Sequence, residues 1–325
     1  MKRLLCWLGF VLCIPTLSYG QTLNSLPSSG STTWGDWAFS WEIGDLYAEG
    51  LVLKDVRFKN IAVIRKASLP VIRVKYRGRG VSVNSGCGPY QDRINASNIR
   101  HFQGATSDVV SRVFDDNLLE IAVFAKIGGY NLYQAWYFHK AGRLEARLYS
   151  SGWSCDDSQH EKDHKHHPYW RIDFNVEATA SNADNQVWRI HTKSNGTVQT
   201  AQALTEDNDW RQSDDSDAVA WTINRPGSEK HVLIRHSGNE ARDPDGTPWF
   251  LFSSKDVAWR LYKAAEDVGW TFGATGHLGS MSPAENVNGK DVVFWVVGHL
   301  SHLWSQSDED HPVWHWVGPT IDVVW

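Results

Sequence analysis

Hydrophobic and polar positions alternate along most of this chain. Between Trp34 and Trp41, Trp37, Phe39 and Trp41 fall on one side and Ala38 and Ser40 on the other. A half-buried strand requires that period of two. The same pattern predicts strands over Gly50–Phe58, Ile61–Arg65, Ile72–Tyr76 and Leu118–Lys126. Gly128 and Gly129 end the last of these, and Tyr133–His139 with Arg143–Tyr149 reads as a hairpin about Lys140, Ala141 and Gly142. Tyr169–Val176, Gln186–His191, Val232–Arg235, Trp249–Phe252, Asp291–Leu300 and Val317–Trp325 continue the series, with a tight turn expected at Asn195-Gly196. Ser254–Ala265 fits a short helix and a strand equally well, and the acidic, polar stretch Thr205–Asp217 reads as an exposed loop. Short strands, Gly/Asn/Asp punctuation and almost no helical period point to an all-β fold, a large antiparallel β-sandwich. No 20–50-residue repeat and no composition break divides the chain, so residues 34–325 are expected to form one domain.

One strand pattern carries candidate chemistry. Asp163-His164-Lys165-His166-His167-Pro168 runs directly into Tyr169-Trp170-Arg171-Ile172-Asp173-Phe174. In an extended chain, residues two apart share a face. His164 and His166 therefore aim at one point, and Lys165 and His167 point away. Pro168 has no N–H to give a ladder, which places the cluster at a strand start or a bulge. A lone His-x-His is more often a solvated loop than a metal site, so the assignment needs a third ligand from elsewhere.

Composition sets the compartment. Lys2 and Arg3, the apolar run Leu4–Leu17 and the small residues Ser18 and Gly20 read as a secretory signal over residues 1–20. That segment is too short for a membrane span, and no other is long and apolar enough. Gln21–Thr33 is rich in Ser, Thr and Gly and reads as a flexible lead-in. A secreted or periplasmic location follows. Removal of the signal leaves a chain more acidic than the whole, whose formal net charge is −5; this argues against nucleic acid as a partner. Cys87 and Cys155 remain, either as one disulfide or as two buried thiols. The 18 tryptophans suit either a large aromatic core or sugar-binding platforms.

Several segments together resemble the catalytic domain of the copper-containing amine oxidases, over about Trp34 to Trp325. Trp37–Trp41 and Glu49–Phe58 look like that family's opening strands. His164-Lys165-His166, with Arg171-Ile172-Asp173 behind it, resembles the family's pair of copper ligands. The family's third ligand follows a tryptophan by seven residues; here His302 follows Trp295 at that distance, with His299 nearby. Three imidazoles with water in the open positions suit Cu(II). The resemblance also implies a peripheral Ca²⁺ held by Asp173 and Asp291, with Asn175 where another acid is common.

The family's organic cofactor, topaquinone, arises from a tyrosine in Asn-Tyr-(Asp/Glu)-Tyr. Tyr130 falls at the precursor position, flanked by Gly129, Asn131 and Leu132 in place of the family's residues. Tyr76 matches a tyrosine that bonds the quinone oxygen. The family's catalytic base, an aspartate, is matched most nearly by Asn84, an amide that takes no proton at neutral pH; Asp92 is the other candidate. The implied reaction converts a primary amine, dioxygen and water into an aldehyde, ammonia and hydrogen peroxide. A homodimer is implied as well. Two further readings stand beside this one: a copper-binding relative without the quinone, either doing another oxidative reaction or inactive, and a glycan-binding β-sandwich.

Overall fold

The alternation read from the sequence becomes two facing sheets. The computed structural model describes residues 22–44, 48–76, 90–152, 164–178, 184–192, 198–206, 208–210, 218–236, 256–263, 284–302 and 315–325. In chain order the strands are β1 (Asn24–Leu26), β2 (Ser29–Trp34), β3 (Trp37–Ile43), β4 (Leu51–Phe58), β5 (Ile61–Tyr76), β6 (Tyr90–Asp92), β7 (Ile99–Arg100), β8 (Val109–Phe114), β9 (Leu118–Ile127), β10 (Tyr130–His139) and β11 (Arg143–Gly152). They continue as β12 (His164–Phe174), β13 (Gln186–Thr192), β14 (Val198–Leu204), β15 (Asn208–Trp210), β16 (Ala218–Asn224), β17 (His231–Arg235), β18 (Val257–Leu261), β19 (Val292–Val297), β20 (Leu300–His302), β21 (His315–Val317) and β22 (Thr320–Val324).

The first sheet runs β1-β8-β9-β10-β11-β22-β17-β16-β13-β14, with β7 on β9 and β21 on β11. The second runs β15-β18-β19-β12-β5-β4-β3-β2, with β20 on β12 and β6 on β5. Both are antiparallel, and the fold is the expected all-β sandwich. Its core lies between the sheets. Trp37 and Phe39 meet Phe138 of the opposite sheet, the second as a stacked pair with centroids 3.9 Å apart. Trp136 meets Trp170 edge-on at 5.1 Å. Much of the tryptophan content is therefore core. Burying each large apolar side chain contributes about 1.5–3 kcal/mol, before the entropy cost of ordering it.

β12 is central in its sheet, and all eleven of its residues are buried. Its even positions Trp170, Ile172 and Phe174 enter the inter-sheet core. Its odd position Tyr169 joins a smaller cluster on the outer face with Val71, Ala258, Val293, Trp295 and Val297. A strand covered on both faces cannot show a clean hydrophobic alternation, and here its polar residues face both ways.

Several expectations change. Ile61–Arg65 and Ile72–Tyr76 are one strand, β5, because two irregularities let it bend without ending. One sets Ser68 and Val71 against Arg171 and Tyr169, which leaves Leu69 and Pro70 opposite the single residue Trp170; the other makes Arg65 an extra residue between the partners of Asp173 and Phe174. The supposed lead-in Gln21–Thr33 contributes β1, paired with β8, and β2, paired with β3. Thr205–Asp217 contains β15, which pairs with β18, and the ambiguous Ser254–Ala265 carries β18 itself as a strand. The signal segment, Asn84, Cys87, Cys155, Asn195-Gly196 and Trp249–Phe252 lie outside the described residues. No helix among the described residues is long and apolar enough to cross a membrane.

Candidate metal centre

The registers of β12, β5 and β20 assemble the site. Tyr76 on β5 pairs with His164, and His302 on β20 pairs with His164 from the other side. One step along, Val74, His166 and Leu300 form the next inward row. Directly opposed residues of an antiparallel pair share a face. Positions 76, 164 and 302, from three distant parts of the sequence, thus form one row on the inner face.

The His164 and His166 imidazoles are buried, with ring centroids 5.0 Å apart. From the opposite sheet, the Tyr130 ring meets both, 5.5 Å from His164 and 4.7 Å from His166, the second edge-on. Tyr130 is 1% exposed. It opens β10, pairing with Ile127 on β9 and Gly152 on β11. Gly152 has φ +88°, and a Cβ there would lie 2.4 Å from the Gly129 carbonyl oxygen. The glycine lets the two chains close around the base of Tyr130. Ser150, next inward on β11, sets its Oγ 3.3 Å from Nε2 of His166.

Among the described side chains, no three His, Cys, Asp or Glu groups converge as a complete metal site. The His164–His166 pair supplies two donors, and the backbone register puts position 302 in the row of His164. Two imidazoles beside a buried phenol fit a copper ion as a donor set. Sequence reasoning missed Ser150 and His315. His315 on β21 pairs with Ser150 and so shares its inward face. Ser150 carries no family spacing, and both depend on a strand pairing that no local pattern reveals.

Asp92 on β6 pairs with Ile72, which in turn pairs with Pro168, so it shares the inner face two strands from β12. Burial pushes its carboxyl up to about 6. Its Oδ2 is buried with no hydrogen-bond partner among the described residues.

The calcium expectation fares differently. Asp173 points to the outer face, and its Oδ2 accepts from Nε of Arg65 at 2.9 Å and from a second nitrogen of the same guanidinium. Arg65 is the extra residue of the β5 irregularity, and its guanidinium lies 4.1 Å from the Tyr262 ring centroid. Burial alone would lower the pKa of Arg65; the Asp173 carboxylate outweighs it and holds the pKa above the usual value. Arg171, buried on the same strand face, adds another cation nearby. Ca²⁺ takes six to eight oxygen ligands, and a guanidinium on the central carboxylate excludes that cage. Asp173, held by the Arg65 guanidinium, does not fit a calcium ion.

The comparisons agree with the architecture. A copper-containing benzylamine oxidase from Hansenula polymorpha superposes with a TM-score of 0.62 at 15% identity, covering 92% of this chain and 61% of its own. A Pichia pastoris lysyl oxidase gives 0.63 at 14% identity, over 90% and 51%. An Aspergillus nidulans amine oxidase gives 0.61 at 14% identity, over 96% and 55%. The chain spans about half to three-fifths of the length of these structures. At this identity the likeness defines the fold, that of the copper amine oxidases. No protein-family description matches the sequence, and no curated protein matches it.

Proposed function

We propose that this chain is an exported copper-dependent oxidase of the amine oxidase type, acting on a small primary amine with dioxygen. The observation that carries the reading is the Tyr130 ring lying against both His164 and His166, with position 302 in register beside His164. His164, His166 and His302 would hold Cu(II). Copper there would supply redox chemistry with dioxygen, and a quinone made from Tyr130 would supply the electrophile for the amine.

The chain's own residues do the rest. Two closely fitted sheets keep bulk water from Tyr130 and the imidazoles, which strengthens every electrostatic interaction there. Ser150 restrains the His166 ring. Asp92 replaces Asn84 as the proton acceptor: a carboxyl lifted to about 6 by burial is a stronger base than a solvated one and is still ionised at neutral pH. Position 76, in backbone register with His164, is the one the resemblance assigns to a tyrosine that bonds the quinone oxygen. The signal at residues 1–20 directs export, and a homodimer is the expected assembly.

A second reading keeps the copper and leaves Tyr130 an unmodified phenol. Leu132 favours it, because that residue is fully buried in the apolar core where the family has a second tyrosine. One experiment separates the two. The purified chain is loaded with copper in air, and the Tyr130 peptide is weighed by mass spectrometry. A mass gain on that peptide, with visible absorbance absent in Tyr130→Phe, supports the quinone. An unchanged peptide on a copper-loaded chain supports the phenol. A chain that takes no copper ends both.

A further inference from the structure

The third proposed ligand sits beyond a weak point in its ladder. β19 and β20 pair with β12 in one continuous register, Tyr169 against Val297 and His166 against Leu300, but the strand is interrupted at Gly298 and His299. Pro168 is the cause. It accepts from the Gly298 N–H at 3.0 Å but has no N–H to return. Gly298 adds no side chain to grip the pair; a Cβ there would fall 2.6 Å from the Val317 side chain and 3.1 Å from Pro168. His302 lies four residues past Gly298. A slip of one residue there would turn it to the other face.

On the outer face, a side-chain chain spans this gap. His167 and His299 stand opposite each other, and their Nδ1 atoms are 2.8 Å apart. Nε2 of His299 is 2.5 Å from Oδ1 of Asp256, just before β18. The backbone repeats the link, since Val297 N–H donates to the Asp256 carbonyl at 2.8 Å. Asp256 and His167 are 5% and 1% exposed, so the bonds are made away from water and are costly to lose. Asp256 fixes the ring of His299, His299 fixes His167, and β20 is thereby tied to β12 immediately before the metal row.

We infer that Asp256, His299 and His167 form a clamp that sets the register of β20 and so positions His302 as a metal ligand. None of the three touches the metal; they are positioning residues. The inference rests on the copper reading above. It gives a role to three polar side chains held beside the outer apolar cluster of Val71, Tyr169, Val293, Trp295 and Val297.

The test compares Cu(II) affinity and the Cu(II) electron paramagnetic resonance spectrum in the native chain, His299→Leu, Asp256→Leu and Asp256→Asn. Removing a group that orients a metal ligand typically costs about 10–100-fold in affinity. The two leucine variants should lose that much and show a spectrum with fewer nitrogen ligands. Asp256→Asn keeps an oxygen to accept from His299 and should stay within a few-fold of native with the native spectrum. If one leucine variant does not fold, the other carries the same expectation. A folded leucine variant with native affinity and spectrum overturns the clamp. A native chain that binds no copper overturns the functional reading itself, a result distinct from failure of the clamp.

Discussion

The two faces of β12 use the same residue types to opposite ends. Outward, His167 meets His299 and through it Asp256, and Asp173 meets Arg65, all within one sheet. Inward, His164 and His166 meet the Tyr130 ring and the Ser150 hydroxyl, which reach across from the other sheet. The outer groups neutralise or tie one another and hold strands in place. The inner groups bring imidazole nitrogens and a phenol to one point between the two sheets. Alternation within a single strand thus separates a structural lining from a reactive one.

The comparison can be broken most severely from the inside. His166→Ala should abolish stoichiometric copper binding, read by metal analysis of the purified chain. Full occupancy in that variant would reject the inner ligand set.

Asp92→Asn should next lower amine turnover by about 10²–10⁴-fold, as loss of a general base does. Native activity should rise with pH through about 6, where Asp92 ionises. The same shift fixes a stability effect. The native state holds a proton on Asp92 that the unfolded chain releases at its ordinary, lower pKa. This group therefore costs stability as pH rises from about 4 to about 6. Asp92→Asn should be the more stable protein above pH 6 while being the slower enzyme, checked by denaturant unfolding across pH. A variant slower but no more stable would detach the carboxyl from its buried setting.

From the outside, Arg65→Ala leaves the 1%-exposed Asp173 carboxylate without its guanidinium. Removing one member of a buried pair typically costs about 3–5 kcal/mol; part-exposure of Arg65 puts this case at the lower end. Copper affinity should be unchanged. Chelating calcium should not move the melting temperature of the native chain, and a clear fall on chelation would restore the calcium site.

The smallest effect is expected at Gly152→Ala. The Cβ meets the Gly129 carbonyl and the residue must keep a positive φ, so about 1–3 kcal/mol of stability should be lost. Unfolding midpoints would show it. A neutral substitution would mean that the approach beside Tyr130 is loose.

Much of this was legible before any coordinates. The period of two put Trp37, Phe39 and Trp41 on one buried face and separated His164 and His166 from His167 and Asp173. The glycines after Leu118–Lys126 and at Gly142 marked the ends of strands that the structure also ends there. What was hidden was non-local. Asp256 and His299 are brought together by strand pairing across more than forty residues, and nothing in either neighbourhood announces it. Arg65 reached Asp173 because an extra residue in β5 re-aimed it, and an irregularity of that kind breaks the alternation a reader relies on. The same breaks split β5 into two apparent strands. Ser150 and His315 are ordinary residues until β11 and β21 are laid side by side.

Anomalous diffraction at the copper edge, from crystals of the copper-loaded chain, bears on the central claim with least inference. The account predicts one strong peak on the inner face, within bonding distance of imidazole nitrogens of His164, His166 and His302 and beside the Tyr130 ring. A peak elsewhere, or none at full copper supply, would contradict it.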